Sequence, residues 1–188
     1  MTEPGRTRKP AAVRRAEIME AADAEFAQKG LSGAGIEAIA ARVGISHPRI
    51  VQMFGSKRDL FLHVVHAAYD RIEATFESAE PALSALGDAY RQLLQTRPTV
   101  GLVLLQAYAA AGDAAVQESV RQRQLDLQQT VTRLTGADPM QVRSFLATGL
   151  VLTVSTVLDL PERRADLEWC TWIIGQGDAA GSHPPPGG

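Results

Sequence analysis

Cysteine is almost absent from this chain of 188 residues. Cys170 stands alone, so no internal disulfide can form, and the pattern fits a reducing compartment rather than a disulfide scaffold. Flanked by Trp169 and Trp172 in a helical pattern, it reads as a small buried hydrophobe rather than a reactive thiol. Long apolar runs are missing too. The two most apolar stretches, 101–111 and 149–158, are about half the roughly 20 residues that span a bilayer. They read as core or interface helices, with no membrane partner. The basic N-terminus runs into Pro10-Ala-Ala-Val-Arg-Arg15 instead of an apolar segment, so no secretory signal is expected and a cytoplasmic location is. Sustained two-residue alternation with β-branched residues is absent, which predicts no sheet. Without strands, no glycine-rich phosphate loop can follow one. Histidines at metal-ligand spacing are limited to His63 and His66, which have no obvious carboxylate partner, and no nucleophile–base pair can be argued. The expectation is therefore no metal, no cofactor and no enzyme.

What is present is ordinary in amount and uneven in placement. Hydrophobic residues make up 45% and charged residues 21% of the chain, values usual for a globular protein. The net charge of −2 does not suggest nucleic acid, but its distribution does. Residues 1–66 hold ten Lys/Arg against seven Asp/Glu, a net +3, and the remainder holds nine against fourteen, a net −5. A basic end on an acidic body is the footprint of a nucleic-acid-binding head.

The most informative stretch is 36–54. Ile36, Ile39, Ala40 and Val43 recur at helical spacing. Gly44 stands where a helix stops by turning left-handed. Ser46 is suited to cap the next helix with its hydroxyl, and Pro48 is tolerated in a first turn whose N–H groups lack partners. That helix buries Ile50 and Phe54 and turns His47, Arg49 and Gln52 outward. Two short helices about a glycine turn form a helix-turn-helix, which lays its second helix in the DNA major groove.

The rest reads as repeated helical punctuation. A basic arm, 1–11, precedes a helix at 12–29 striped by Ile18, Ala22 and Phe26 and ended by Gly30. A long helix starts at Lys57, and others follow at 81–95, 98–111, 113–134, 139–160 and 161–176, before a proline- and glycine-rich tail at 177–188. The expected fold is all-α. A helix-turn-helix DNA-binding domain at 12–66 precedes a helical body at 67–176.

Ile18, Ala22, Phe26, Gly30, Ile39, Ala40, Val43-Gly44-Ile45-Ser46, Ile50, Phe54 and Ser56-Lys57-Arg58-Asp59-Leu60 together resemble the tetracycline-repressor (TetR) family of bacterial regulators. The resemblance covers 12–66. It implies a homodimer binding double-stranded operator DNA, with a small-molecule pocket in each body. Several positions depart from the family pattern. Ala34-Gly35 replaces a hydroxyl pair at the start of the second helix, Val51 replaces a common tyrosine, and Pro48 and Arg49 replace smaller residues.

In that frame Arg49 has the planar fork that bonds guanine O6 and N7, and Gln52 is placed to read adenine or to bond a phosphate. Ser46, His47 and Pro48 sit at the helix start, where phosphate is nearest. Lys57 matches the family's phosphate-binding lysine. Arg6, Arg8, Lys9, Arg14 and Arg15 form an arm that reaches DNA or only solubilises the end. In the body, His66, Tyr69, Tyr90, Gln106 and Tyr108 offer polar groups among apolar neighbours, which suits a moderately apolar small-molecule ligand. Dimerisation is assigned to Phe145, Gly149, Leu152, Thr153 and Thr156 on one helix and to Leu167, Cys170 and Ile174 on the last. A helical bundle or enzyme carrying a vestigial head is the competing reading, favoured by Ala34-Gly35 and Val51.

Overall fold

The computed structural model describes residues 10–160, and among these it has eight helices and no strand. They are α1 (Ala11–Gly33), α2 (Ile36–Val43), α3 (His47–Phe54), α4 (Lys57–Glu77), α5 (Leu83–Thr96), α6 (Pro98–Ala109), α7 (Ala114–Thr135) and α8 (Pro139–Val157). The expected helix at 161–176, the tail, and Arg6, Arg8 and Lys9 lie outside the described residues. The all-α expectation holds.

Two compact units emerge, with their divisions inside α4, α6 and α7. The first takes residues 10–70 and 102–123 of the described chain. Its core is the stripe read from sequence: Ile18, Ala22 and Phe26 of α1 are fully buried with Leu60, Phe61 and Val64 of α4. Phe26 and Phe61 meet edge to face, with centroids 5.1 Å apart. Burying each such ring contributes about 1.5–3 kcal/mol. Gly30 breaks α1, with φ 66° and ψ −176°, a backbone conformation open to glycine almost alone. Its bare backbone faces the Gln106 side chain of α6, which a Cβ there would strike.

The second unit takes 71–101 and 124–160. Here Phe76 of α4 stacks edge to face on Tyr90 of α5 and Phe145 of α8, at 6.2 and 5.8 Å. The Tyr90 hydroxyl shares a buried 2.7 Å hydrogen bond with Thr153 Oγ1. Asp138 opens α8 with a reciprocal cap: its Oδ1 accepts from the N–H groups of Met140 and Gln141, and Gln141 Oε1 accepts from the Asp138 N–H. The helix ends at Val157 because Asp159 turns left-handed at φ 55°, earlier than the expected Leu160.

One expectation is corrected here. By length and composition α8 is apolar enough to cross a membrane, at 19 residues and a mean hydropathy of 1.3, so the apolar stretch is longer than the window 149–158 suggested. A packed helix passes the same test, and α8 sets Val142, Thr153 and Ser155 inside its own unit. It leaves Met140 (65% exposed) and Leu150 (47%) open, with Leu158 exposed just past its end.

Candidate nucleic-acid interface

The helix-turn-helix is fastened at each joint by a different device. At the end of α2, Gly44 is left-handed at φ 70°, ψ 41°. The N–H of Ile45 reaches Ala40 O (3.0 Å) and that of Gly44 reaches Ala41 O (3.2 Å), the paired bonds of a Schellman turn. At the start of α4, Ser56 Oγ accepts the Asp59 N–H (3.1 Å) while Asp59 Oδ2 accepts the N–H and Oγ–H of Ser56, both at 2.8 Å. This reciprocal cap explains the Ser56-Lys57-Arg58-Asp59 run. It also holds the Asp59 carboxyl below its ordinary value, through the Ser56 backbone first and its hydroxyl second.

Ser46 behaves differently from the expectation. It occupies the N-cap position of α3 in extended conformation, but its side chain accepts no capping bond. The Arg49 N–H bonds the Ser46 carbonyl at 3.0 Å. Pro48 stands in the first turn as expected.

Tertiary ties do what local caps do not. Arg14 Nη1 donates to Val43 O and Arg15 Nη1 to Met53 O, each at 3.3 Å, so two cations of α1 meet the carbonyl ends of α2 and α3. Positive charge at a helix C-terminus is favourable. Arg15 also lies over the Phe54 ring, 4.2 Å from its centroid. The structure thus takes Arg14 and Arg15 out of the arm and makes them staples of the motif. Glu25, buried on α1 beside Phe26, accepts from Lys29 Nζ (2.8 Å) and from the Gly35 N–H (3.3 Å). Its carboxyl is held low, by Lys29 first. Lys57 Nζ donates to Ser32 O (3.3 Å) and Ala34 O (3.1 Å). Glu25 and Lys57 therefore fasten the segment where Ala34-Gly35 lacks a hydroxyl cap. An acid next to Phe26 on an apolar stripe is the signal that marks Glu25 in the sequence; nothing local marks the arginines.

The outward face combines both charges. Ser46, Arg49 and Gln52 are exposed and share α3 with half-exposed His47. His47 Nδ1 lies 2.9 Å from Glu37 Oε1, joining the first turns of α3 and α2. Glu37 is held below its ordinary value by its own backbone N–H first and by His47 second. Arg49 Nη1 donates to Gln52 Oε1 at 2.7 Å. Beside this face opens a cleft of about 460 Å³, lined by Gly35, Glu37, His47, Val51, Ser56 and Lys57. An ammonium has three N–H groups, and Lys57 spends two on carbonyls at the rim of this cleft.

This geometry coincides with a known motif. Residues 18–64 match the model of the bacterial regulatory proteins of the tetR family. The head carries the DNA-binding motif of the TetR family. Its head is 37% identical over 65 residues to the HTH-type transcriptional activator FasR of Mycolicibacterium smegmatis, a match covering 35% of this chain and 30% of that protein. Solved structures extend the likeness of fold beyond the head. A TetR-like transcriptional regulator from Rhodococcus sp. RHA1 superposes with a TM-score of 0.68 at 20% identity, over 92% of this chain and all of that one. A TetR-family member from Streptomyces coelicolor A3 gives 0.68 at 19%, over 89% and 98%.

The remaining site residues are distributed as follows. His66 Nε2 pairs with Ser119 Oγ at 2.7 Å, and its pKa is lowered by burial and then by Arg123. Tyr69 is buried with the Arg123 guanidinium 5.5 Å from its ring centroid. Gln106 lies against Gly30, and Tyr108 is partly exposed. These four belong to the first unit and Tyr90 to the second. His63 stacks edge-on to Phe54, and among the described residues no three His, Cys, Asp or Glu gather at metal-binding distance. On α8, Thr153 is buried against Tyr90, Phe145 packs on Phe76, and a Cβ on Gly149 would make ordinary contact with Tyr90 at 3.8 Å. Leu152 and Thr156 are half-buried. Leu167, Cys170 and Ile174 lie outside the described residues.

Proposed function

We propose that this protein is a transcriptional regulator of the TetR family that binds a near-palindromic operator as a homodimer, and a repressor released by a small molecule. The observation that carries the DNA-binding reading is α3 itself. It presents Arg49, Gln52 and His47 outward while Ile50 and Phe54 anchor it, and Arg15 ties down its far end. A two-fold pair of such helices about 34–36 Å apart reaches successive major grooves. The similarity to a named activator lies in the head, and a head sets where a regulator binds rather than the sign of its effect.

The apolar residues exposed along α8, Met140 and Leu150, support self-association; they lie apart from the stripe read from sequence, whose Phe145 and Thr153 pack within their own unit. A moderately apolar ligand releases the operator only by as much as its affinity differs between the free and DNA-bound conformations. Against the reading of a vestigial head stands the fastening by Glu25 and Lys57 of the segment that Ala34-Gly35 leaves uncapped; Val51, exposed on α3, still favours it.

Selection of bound duplexes from a random pool tests this reading directly. The expected product is a palindrome whose half-sites lie one helical turn apart, bound at physiological salt by a species of dimer mass in native mass spectrometry. Failure of every duplex to enrich would overturn DNA binding, and a reporter fused to the selected site reads the sign of regulation.

A further inference from the structure

His47 opens α3 and Glu37 lies in the first turn of α2, with His47 Nδ1 2.9 Å from Glu37 Oε1. A carboxylate accepts hydrogen bonds and donates none, so the Nδ1 that faces it carries a proton. Glu37 is held ionised, because its own backbone N–H and then His47 keep its carboxyl below the ordinary range. A neutral His47 therefore has its one N–H on Glu37 and a bare lone pair at Nε2. Such a ring cannot bond a phosphate oxygen, which also only accepts. One more proton, on Nε2, turns that nitrogen into a charge-assisted donor.

The same proton changes the charge of the face. With a neutral ring the Glu37–His47 pair is negative, and with a protonated ring it is neutral. The cleft they line holds one further charged residue, Lys57 of α4, while Arg49 on α3 is turned to Gln52. Among these side chains only an imidazole changes charge between about pH 5 and 8. In the free protein two fields act on the ring: the partly positive start of α3 disfavours a cation there and Glu37 favours one. A duplex adds a strongly negative field, which favours the charged ring.

We infer that binding a duplex takes up one proton per head from solvent, at His47 Nε2, and that Glu37 is the residue that positions the ring for it. The inference rests on the DNA-binding reading above and adds a titratable contact to it. In the complex the imidazolium donates to a phosphate oxygen through Nε2 while Nδ1 stays on Glu37.

The experiment uses the full chain and the enriched duplex. Affinity is read by fluorescence anisotropy at pH 6 and pH 8, and proton uptake by calorimetry in buffers of different ionisation enthalpy. The wild type should bind about fivefold more tightly at pH 6, with a salt dependence steeper by about one unit of slope per head. His47→Gln should lose both differences. Glu37→Gln, whose amide oxygen still accepts from Nδ1, should keep the pH dependence. Glu37→Ala lets a neutral ring carry its proton on Nε2, so its affinity at pH 8 should approach that at pH 6. A wild type with equal affinity at both pH values and no proton uptake would overturn the inference and leave DNA binding intact. So would a pH dependence that survives in His47→Gln, or a Glu37→Ala protein that keeps the full wild-type difference. If no form binds any duplex, the DNA-binding reading falls and this inference with it.

Discussion

Single residues in this head serve two ends at once, and Lys57 is the clearest. Its ammonium bonds the Ser32 and Ala34 carbonyls and also lines the cleft beside α3. A phosphate there is met by charge, which carries no sequence information. Lys57→Ala should weaken cognate and scrambled duplexes alike and make the salt dependence shallower by about one unit of slope, read by fluorescence anisotropy at several salt concentrations. A loss confined to the cognate duplex would assign Lys57 to base reading instead. His66 gives a pH dependence whose sign is fixed. Burial lowers its pKa below the ordinary 6.5, so the unfolded chain binds the proton more readily than the folded one. Stability present above pH 6.5 is therefore lost as pH falls through that value towards the lower folded pKa. The melting temperature should drop between pH 7.5 and 5.5, and His66→Gln, which keeps a partner for Ser119, should flatten the drop.

At the level of elements, turns fixed by backbone conformation matter more than helix propensity. Gly30 ends the regular part of α1 in a conformation that costs other residues about 1–3 kcal/mol. Gly30→Ala should lower the melting temperature by several degrees in calorimetry. Adding Gln106→Ala removes the collision but not the strain, so the double variant should still melt below the wild type. Full recovery would mean that the collision was the whole cost. The Ser56–Asp59 cap and the Schellman turn at Gly44 are local devices of the same kind. The turn at Gly44 was read from sequence, and the Ser56–Asp59 cap, which was not, likewise has partners only three residues apart.

For the whole molecule, the apolar residues that α8 exposes among the described residues bear on self-association. Leu150 is the residue to change, because Thr153 is committed to Tyr90 and a bulky group at Gly149 would meet Tyr90 inside the same unit. Leu150→Glu should shift the protein from dimer to monomer in analytical ultracentrifugation with helical content kept. A dimer of unchanged mass would place the interface elsewhere. A monomeric head should also bind its operator more weakly, since two half-sites bound together gain from effective concentration.

The sequence by itself determined the helices among the described residues, the turn of the helix-turn-helix and the buried stripe of α1, because periodicity and capping act over a few residues. Ile18, Ala22, Phe26, Ile39, Ile50 and Phe54 all lie where their spacing put them. It also put His47, Arg49 and Gln52 on the open face of α3. Only the tertiary structure decided what holds that face in place. Arg14 and Arg15 find carbonyls 29 and 38 residues away, and Lys57 reaches back 23 and 25. It also decided that Ser46 leaves its hydroxyl out of the cap and that Thr153 turns inward to a tyrosine 63 residues distant. Such partners are chosen by where helices cross, and no spacing rule along the chain fixes a crossing.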